Sequence, residues 1–381
     1  MSTRPNLESL DLGLSQNREY ESKKDEVEKQ VRQFFVAKKV ADPSDKDMQH
    51  HFIQRFFSKA NLDLSNMGMH KRNALEEAFY DLVGLALFCR FRQKTDDANA
   101  SFSKANQIAT YLKDQFMLDH YNFALVLDAD PLKKKLKSDR CYELVNQTLA
   151  VDKDKGIELI ATGLNLAIEI GDEKRRLDFL SKCQYVLYEL ESLQHDAMSL
   201  GHYILSSAGG YETLKAWTKF HIGNIWLDFE NPPNARDQFE EAMDWALNTG
   251  FPYAVMTFYE RLALANMRLG KLSLAEKYYE ESQKQAKEND IKPELVMKND
   301  IRCKIGLGNL RYRKAESELG DPKESACQAA DQYFKQALTL IAQTNYPANR
   351  KVSLVNLSEL YKLWRGPNDP DAKNYLDLAN Q

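Results

Sequence analysis

Glycine and proline are both scarce in this chain: 16 and 11 among 381 residues, roughly 4% and 3% where about 7% and 5% are usual. A long chain with so few breakers favours helices joined by short turns. Cysteine is also sparse. Cys89, Cys141, Cys183, Cys303 and Cys327 are scattered, odd in number and without a C-x-x-C pair. That excludes a disulfide framework and a sequence-readable structural zinc site, and it fits a reducing compartment. No window approaches 18 uninterrupted apolar residues, so no membrane span is expected. The opening MSTRPNLESLDLGLSQNREYESKKDE has no apolar core of signal-peptide length, so a cytoplasmic protein is expected. Charge of one sign is lacking too. The 52 basic and 56 acidic residues give a net −4, without the basic excess of a general nucleic-acid binder.

Catalytic constellations are equally hard to find. Asp128-Ala129-Asp130 has the D-x-D form of some metal-dependent sugar transferases, but it stands before Pro131 and reads as a helix end, where Asp bonds locally. Asp152-Lys153-Asp154-Lys155-Gly156 has its glycine one place early for a calcium loop and lacks the other oxygen ligands. It reads as a helix start. Gly306-Leu307-Gly308 follows no strand, so it is no nucleotide fingerprint. His50-His51, His195 and His202 lack an H-E-x-x-H context. Lys133-Lys134-Lys135-Leu136-Lys137 fits a nuclear signal loosely and reads as a solvated helix start. No catalytic, metal or cofactor site is expected, and the protein is expected not to be an enzyme.

What is present is a repeat. In FYERLALANMRLGKLSLAEKYYEESQKQA, Tyr259, Leu262, Ala263 and Asn266 share one helical face. Gly270 marks a turn, and Ala275, Tyr279 and Ser282 share a face of a second helix. Two antiparallel helices approach closely only where small side chains sit at the backbone crossing, and an aromatic ring then fills the gap beside them. The small–aromatic–small triplet recurs as Ala98/Phe102/Ala105, Ala235/Phe239/Ala242 and Ala330/Phe334/Ala337. It recurs in weaker form as Ala372/Leu376/Ala379, Gly156/Ile160/Gly163 and Ala197/Gly201/Ile204. From 156 to 197, 235 and 275 the steps are 41, 38 and 40 residues, and from 330 to 372 it is 42. Two steps are longer. The 58 residues from 98 to 156 leave room for an extra helix near Gln115–Leu127. The 55 from 275 to 330 call for a longer helix or a longer connector around Glu318, Gly320, Asp321 and Pro322.

This pattern resembles the tetratricopeptide repeat, whose usual period is about 34 residues. Asn266 stands where the family has an aromatic, and Lys287 where it has a closing proline. The resemblance implies an all-α fold of antiparallel helical hairpins, stacked over residues 73–381 as a right-handed superhelical solenoid. Residues 1–20 are expected to be a disordered tail. Residues 21–72 form an N-terminal helical region, with Val27, Val31, Phe34 and Phe35 on one helix and Phe52, Ile53, Phe56 and Phe57 on another, capping the first hairpin. A DNA-binding helix-turn-helix there would need a tight glycine turn that the segment does not show.

The resemblance also implies a binding groove on the concave side, lined by the first helix of each hairpin. Projecting the register places Lys182, Trp217, His221, Asn224, Arg261, Leu264, Arg268, Arg302, Asn309, Tyr312 and Arg313 there. Asn224 and Asn309 occupy equivalent places. An asparagine can both donate to and accept from an extended backbone, and arginine pairs with a carboxylate. The expected partner is therefore a protein or peptide, acidic or ending in a free carboxylate, with no nucleic acid and no membrane. A homodimer is compatible with the sequence. The leading function is a peptide-binding scaffold. The alternative is a peptide-responsive regulatory sensor, because intracellular receptors for bacterial signalling peptides are similar in plan.

Overall fold

The computed structural model describes residues 64, 67–69, 71–189, 193–289, 291–344 and 347–380. The expected tail, both N-terminal capping helices and the His50-His51 pair lie outside them. Among the described residues the chain is helical without a strand, opening on a 3-10 turn at Met67–Met69. The helices are α1 (Arg72–Phe91), α2 (Thr95–Leu112), α3 (Gln115–Leu125), α4 (Ala129–Val151), α5 (Lys153–Glu169), α6 (Glu173–Tyr188), α7 (Gln194–Ser207) and α8 (Glu212–Asp228). There follow α9 (Pro232–Thr249), α10 (Pro252–Arg268), α11 (Leu272–Glu288), α12 (Pro293–Ser317), α13 (Asp321–Ile341), α14 (Pro347–Arg365) and α15 (Pro370–Ala379). No described helix is long and apolar enough to cross a membrane.

Local chemistry sets the boundaries. The side chains of Asp114, Asp152, Asp172, Asn231 and Asp369 each accept a backbone N–H of the helix that follows, satisfying donors that a helix start leaves orphaned. Proline opens α9, α10, α12, α13 and α15, where a missing N–H costs nothing. Gly250 closes α9 at φ +66°, a left-handed conformation that glycine adopts without strain.

The expected triplets fall on α2, α5, α7, α11, α13 and α15, each the second helix of a hairpin, and on α9. The 58-residue step holds α3, and the 55-residue step is taken up by the lengths of α12 and α13, 25 and 21 residues. The connector between these two is short, and Asp321 and Pro322 belong to the first turn of α13. Two readings are corrected. Asp128-Ala129-Asp130 begins α4 and does not end a helix, because proline is tolerated in a first helical turn. The lysine run that follows is not wholly solvated: Lys135 is 3% exposed.

The residues up to Ile225 and those from Trp226 onward form two separate units, with the boundary inside α8. In the first, α1/α2, α4/α5 and α6/α7 pair as hairpins, and α3 joins the core that Phe79, Leu87, Phe102, Ile108 and Leu136 share. In the second, α10/α11, α12/α13 and α14/α15 pair likewise. The stacking has a visible cause. Tyr279 of α11 packs with Ala263 of α10 and with Cys303 and Leu307 of α12. A Cβ built on Gly306 would lie 2.2 Å from its ring, and one on Gly308 2.5 Å from Phe334. Glycine there lets each first helix seat the aromatic of a second helix. In the first unit the roles are exchanged: Phe179 of the first helix α6 stands over Gly163 of the second helix α5, 2.0 Å from a Cβ built there. The hairpins are thus tetratricopeptide-like in packing as well as in pattern.

Candidate functional site

In the second unit, the first helices α10 and α12 lie side by side. Leu264, Met267 and Arg268 of α10 and Asn309, Tyr312 and Arg313 of α12 line an open cavity of about 300 Å³. These are matched positions: 264, 267 and 268 become 309, 312 and 313 on adding 45. The cavity therefore lies where two copies of one repeat face meet. Its floor is apolar, with Met267 buried and Tyr312 packed against the cluster of Phe334, Leu357 and Tyr361. Its rim is cationic. The guanidinium of Arg268 donates to the carbonyl of Leu227, which orients it. Arg313 is exposed and makes no ion pair among the described residues. Asn309 accepts a hydrogen bond from Asn356 Nδ2 at 2.9 Å, which fixes its amide and leaves its NH₂ facing away from that bond.

Five of the projected groove residues, Leu264, Arg268, Asn309, Tyr312 and Arg313, thus line one cavity. Arg261 and Arg302 stand on the same two helices outside its lining, Arg261 beside Glu260 at 3.3 Å. Met267 was not in the projected set, although its match with Tyr312 in the repeat register was there to be read.

The other projected residues belong to the first unit, and their surroundings differ. Lys182 lies over the ring of Tyr142 at 5.3 Å, and burial lowers its pKa. His221 packs against Phe220 and Tyr185, and burial, with Lys182 nearby, pushes its pKa down to about 3. Trp217 stacks edge-on against Phe220. The Asn224 amide is buried and donates to Phe220 O of its own helix at 3.1 Å.

Nearby, side chains from five elements interlock. Lys135 of α4 pairs with Asp139 at 2.5 Å and with Asp172 at 3.1 Å. Arg175 of α6 pairs with Asp139 at 2.7 Å and with Asp178 at 3.1 Å. Lys174 pairs with Asp178 at 2.7 Å and lies 4.1 Å over the Tyr80 ring of α1. Tyr211, just before α8, donates to Asp178 at 2.9 Å and stacks on Phe116 of α3. Thr213 of α8 donates to Glu76 of α1 at 2.6 Å, across 137 residues of sequence. The charges of this cluster are thus paired largely within the first unit itself. Burial alone would raise the pKa of the Asp139 carboxyl, but Lys135 and Arg175 beside it hold it well below the usual range. Among the described residues no group of three or more His, Cys, Asp or Glu is placed to hold a metal.

No protein-family model and no curated protein matches the chain. Solved structures do. Aspartyl phosphate phosphatase F from Bacillus subtilis is similar at 10% identity, over 97% of this chain and 96% of that one, with a TM-score of 0.48. The apo form of RapI is similar at 12% identity, over 95% of each chain, with a TM-score of 0.44. A signal-transduction ATPase with a tetratricopeptide repeat sensor, from Pyrococcus horikoshii, is similar at 16% identity and a TM-score of 0.44; the match covers 95% of this chain and 52% of that one. At these scores the likenesses carry no functional argument.

Proposed function

We propose that the protein is a peptide-binding scaffold, and that its ligand is a short extended segment of a partner protein held between α10 and α12 with a carboxylate at the Arg268–Arg313 rim. The observation that supports this best is the cavity of about 300 Å³ built from matched repeat positions, apolar at its floor and cationic at its rim. An arginine fork suits a planar carboxylate, and an apolar floor takes the side chain that precedes or follows it. In this reading Asn309, held by Asn356, bonds the ligand backbone.

The test is capture of partners on the immobilised chain, with Arg268→Ala/Arg313→Ala as the comparison, followed by displacement with a synthetic peptide copying the captured partner's C-terminus. The expected result is a partner bound by the wild type, lost in the double variant and displaced by that peptide. A partner retained equally by the double variant contradicts the proposal. The regulatory alternative uses the same cavity and differs in its consequence. A scattering profile that changes on adding the peptide favours a sensor, and an unchanged one favours a scaffold.

A further inference from the structure

Glu260 lies on α10 one helical turn before Leu264, in the same stripe as the cavity lining. It is 4% exposed, yet its Oε2 has no hydrogen-bond partner. Among the described residues it has one ion-pair partner, Arg261 Nε at 3.3 Å, which is also without a hydrogen bond. The misalignment has a simple cause. Adjacent residues on a helix do not face each other, so Arg261 neutralises part of the charge without donating to it. Glu260 is not itself part of the cavity lining but stands one helical turn from it, and a nearly buried carboxylate with an unmet acceptor costs stability unless something completes it.

We infer that Glu260 is the specificity-determining residue of this groove, and that it takes a cationic side chain of the bound peptide. This rests on the proposed function, because the same peptide's carboxylate sits at Arg268 and Arg313. The spacing sets a register. Eight residues of helix separate Glu260 from Arg268, roughly 12 Å at the helical rise. Extended peptide covers that span in about four residues. The ligand therefore carries lysine or arginine about three to five places before its C-terminal carboxylate. The groove reads opposite charges at its two ends, which fixes the direction in which the peptide lies as well as its composition.

The test uses the full chain and a random library of N-acetylated hexapeptides with free C-terminal carboxylates, affinity-selected and sequenced. Wild type is expected to enrich lysine or arginine three to five places from the C-terminus. Glu260→Gln is expected to lose that enrichment at least tenfold while still selecting peptides over Arg268→Ala/Arg313→Ala. Glu260→Lys is expected to shift the preference to acidic residues. Circular dichroism and melting of each variant establish that it is folded. Enrichment by wild type with no basic preference, or with a preference that Glu260→Gln keeps, overturns the inference and leaves the groove reading intact. No enrichment by wild type over the double arginine variant overturns both.

Discussion

Phe239, Tyr279 and Phe334 hold one place in the repeat pattern, on α9, α11 and α13, and each is 0–1% exposed. Leu376 holds the same place in α15 and is 37% exposed, since no described helix follows to cover it. The residue type at the position is thus less decisive than the hairpin that lies over it. Phe239→Ala should cost about 3–5 kcal/mol, as other large truncations in packed cores do, whereas Leu376→Ala should cost under about 1 kcal/mol. Denaturant midpoints of the two variants check this, and a loss below about 1 kcal/mol for Phe239→Ala contradicts the register. Asn266 shows the same dependence on context. It replaces an aromatic, is 1% exposed, and bonds its own helix at Leu262 O. It keeps the shape of the hairpin while leaving its Oδ1 unpartnered.

At the scale of elements, α3 is the departure from a regular array. Its His120 lies against Phe79 and Tyr80 of α1 and 3.8 Å from Asp172, the cap of α6. Burial, with Lys135 and Lys174 nearby, pushes the His120 pKa down to about 3 although Asp172 opposes the shift. The unfolded value is about 6.5. The unfolded chain therefore binds the extra proton between these values, and stability present above about pH 6.5 is lost as pH falls toward 3. At pH 5 the loss should reach at most about 2 kcal/mol. The change in urea midpoint between pH 7.5 and pH 5 should shrink in His120→Gln, and an equal change in both proteins contradicts this account.

The repeat spacing located α3, because an extra 18 or so residues between triplets has to go somewhere. The same spacing placed every second helix, because small–aromatic–small is a local pattern with a packing cause. The charge cluster of the first unit was not legible. Lys135 finds Asp139 one turn away, but Asp172 reaches it from another helix, and Thr213 meets Glu76 over 137 residues. Nothing in a five-residue lysine run announces such partners. The matching of repeat positions was legible as a register, but the surroundings of each position were not. Arg268 and Asn309, from different helices of that register, line one cavity within the second unit, while Lys182 and His221 pack against aromatic rings of the first.

For the molecule as a whole, the two units put one repeat pattern to different uses. In the first, charged and aromatic groups meet one another in a buried cluster; breaking one partner of such a buried pair typically costs several kcal/mol. In the second, matched positions leave room between them and carry arginines at the rim. The net charge of −4 hides this local basic rim, since association depends on the field at the site and not on the sum over the chain. The measurement that tests the central claim most directly is the affinity of a library-selected, carboxylate-terminated peptide for wild type and for Arg268→Ala/Arg313→Ala, read by fluorescence anisotropy. Binding at least tenfold weaker in the double variant, about 1.4 kcal/mol, with an unchanged melting temperature is the result this account predicts. Equal affinity for both proteins would contradict it.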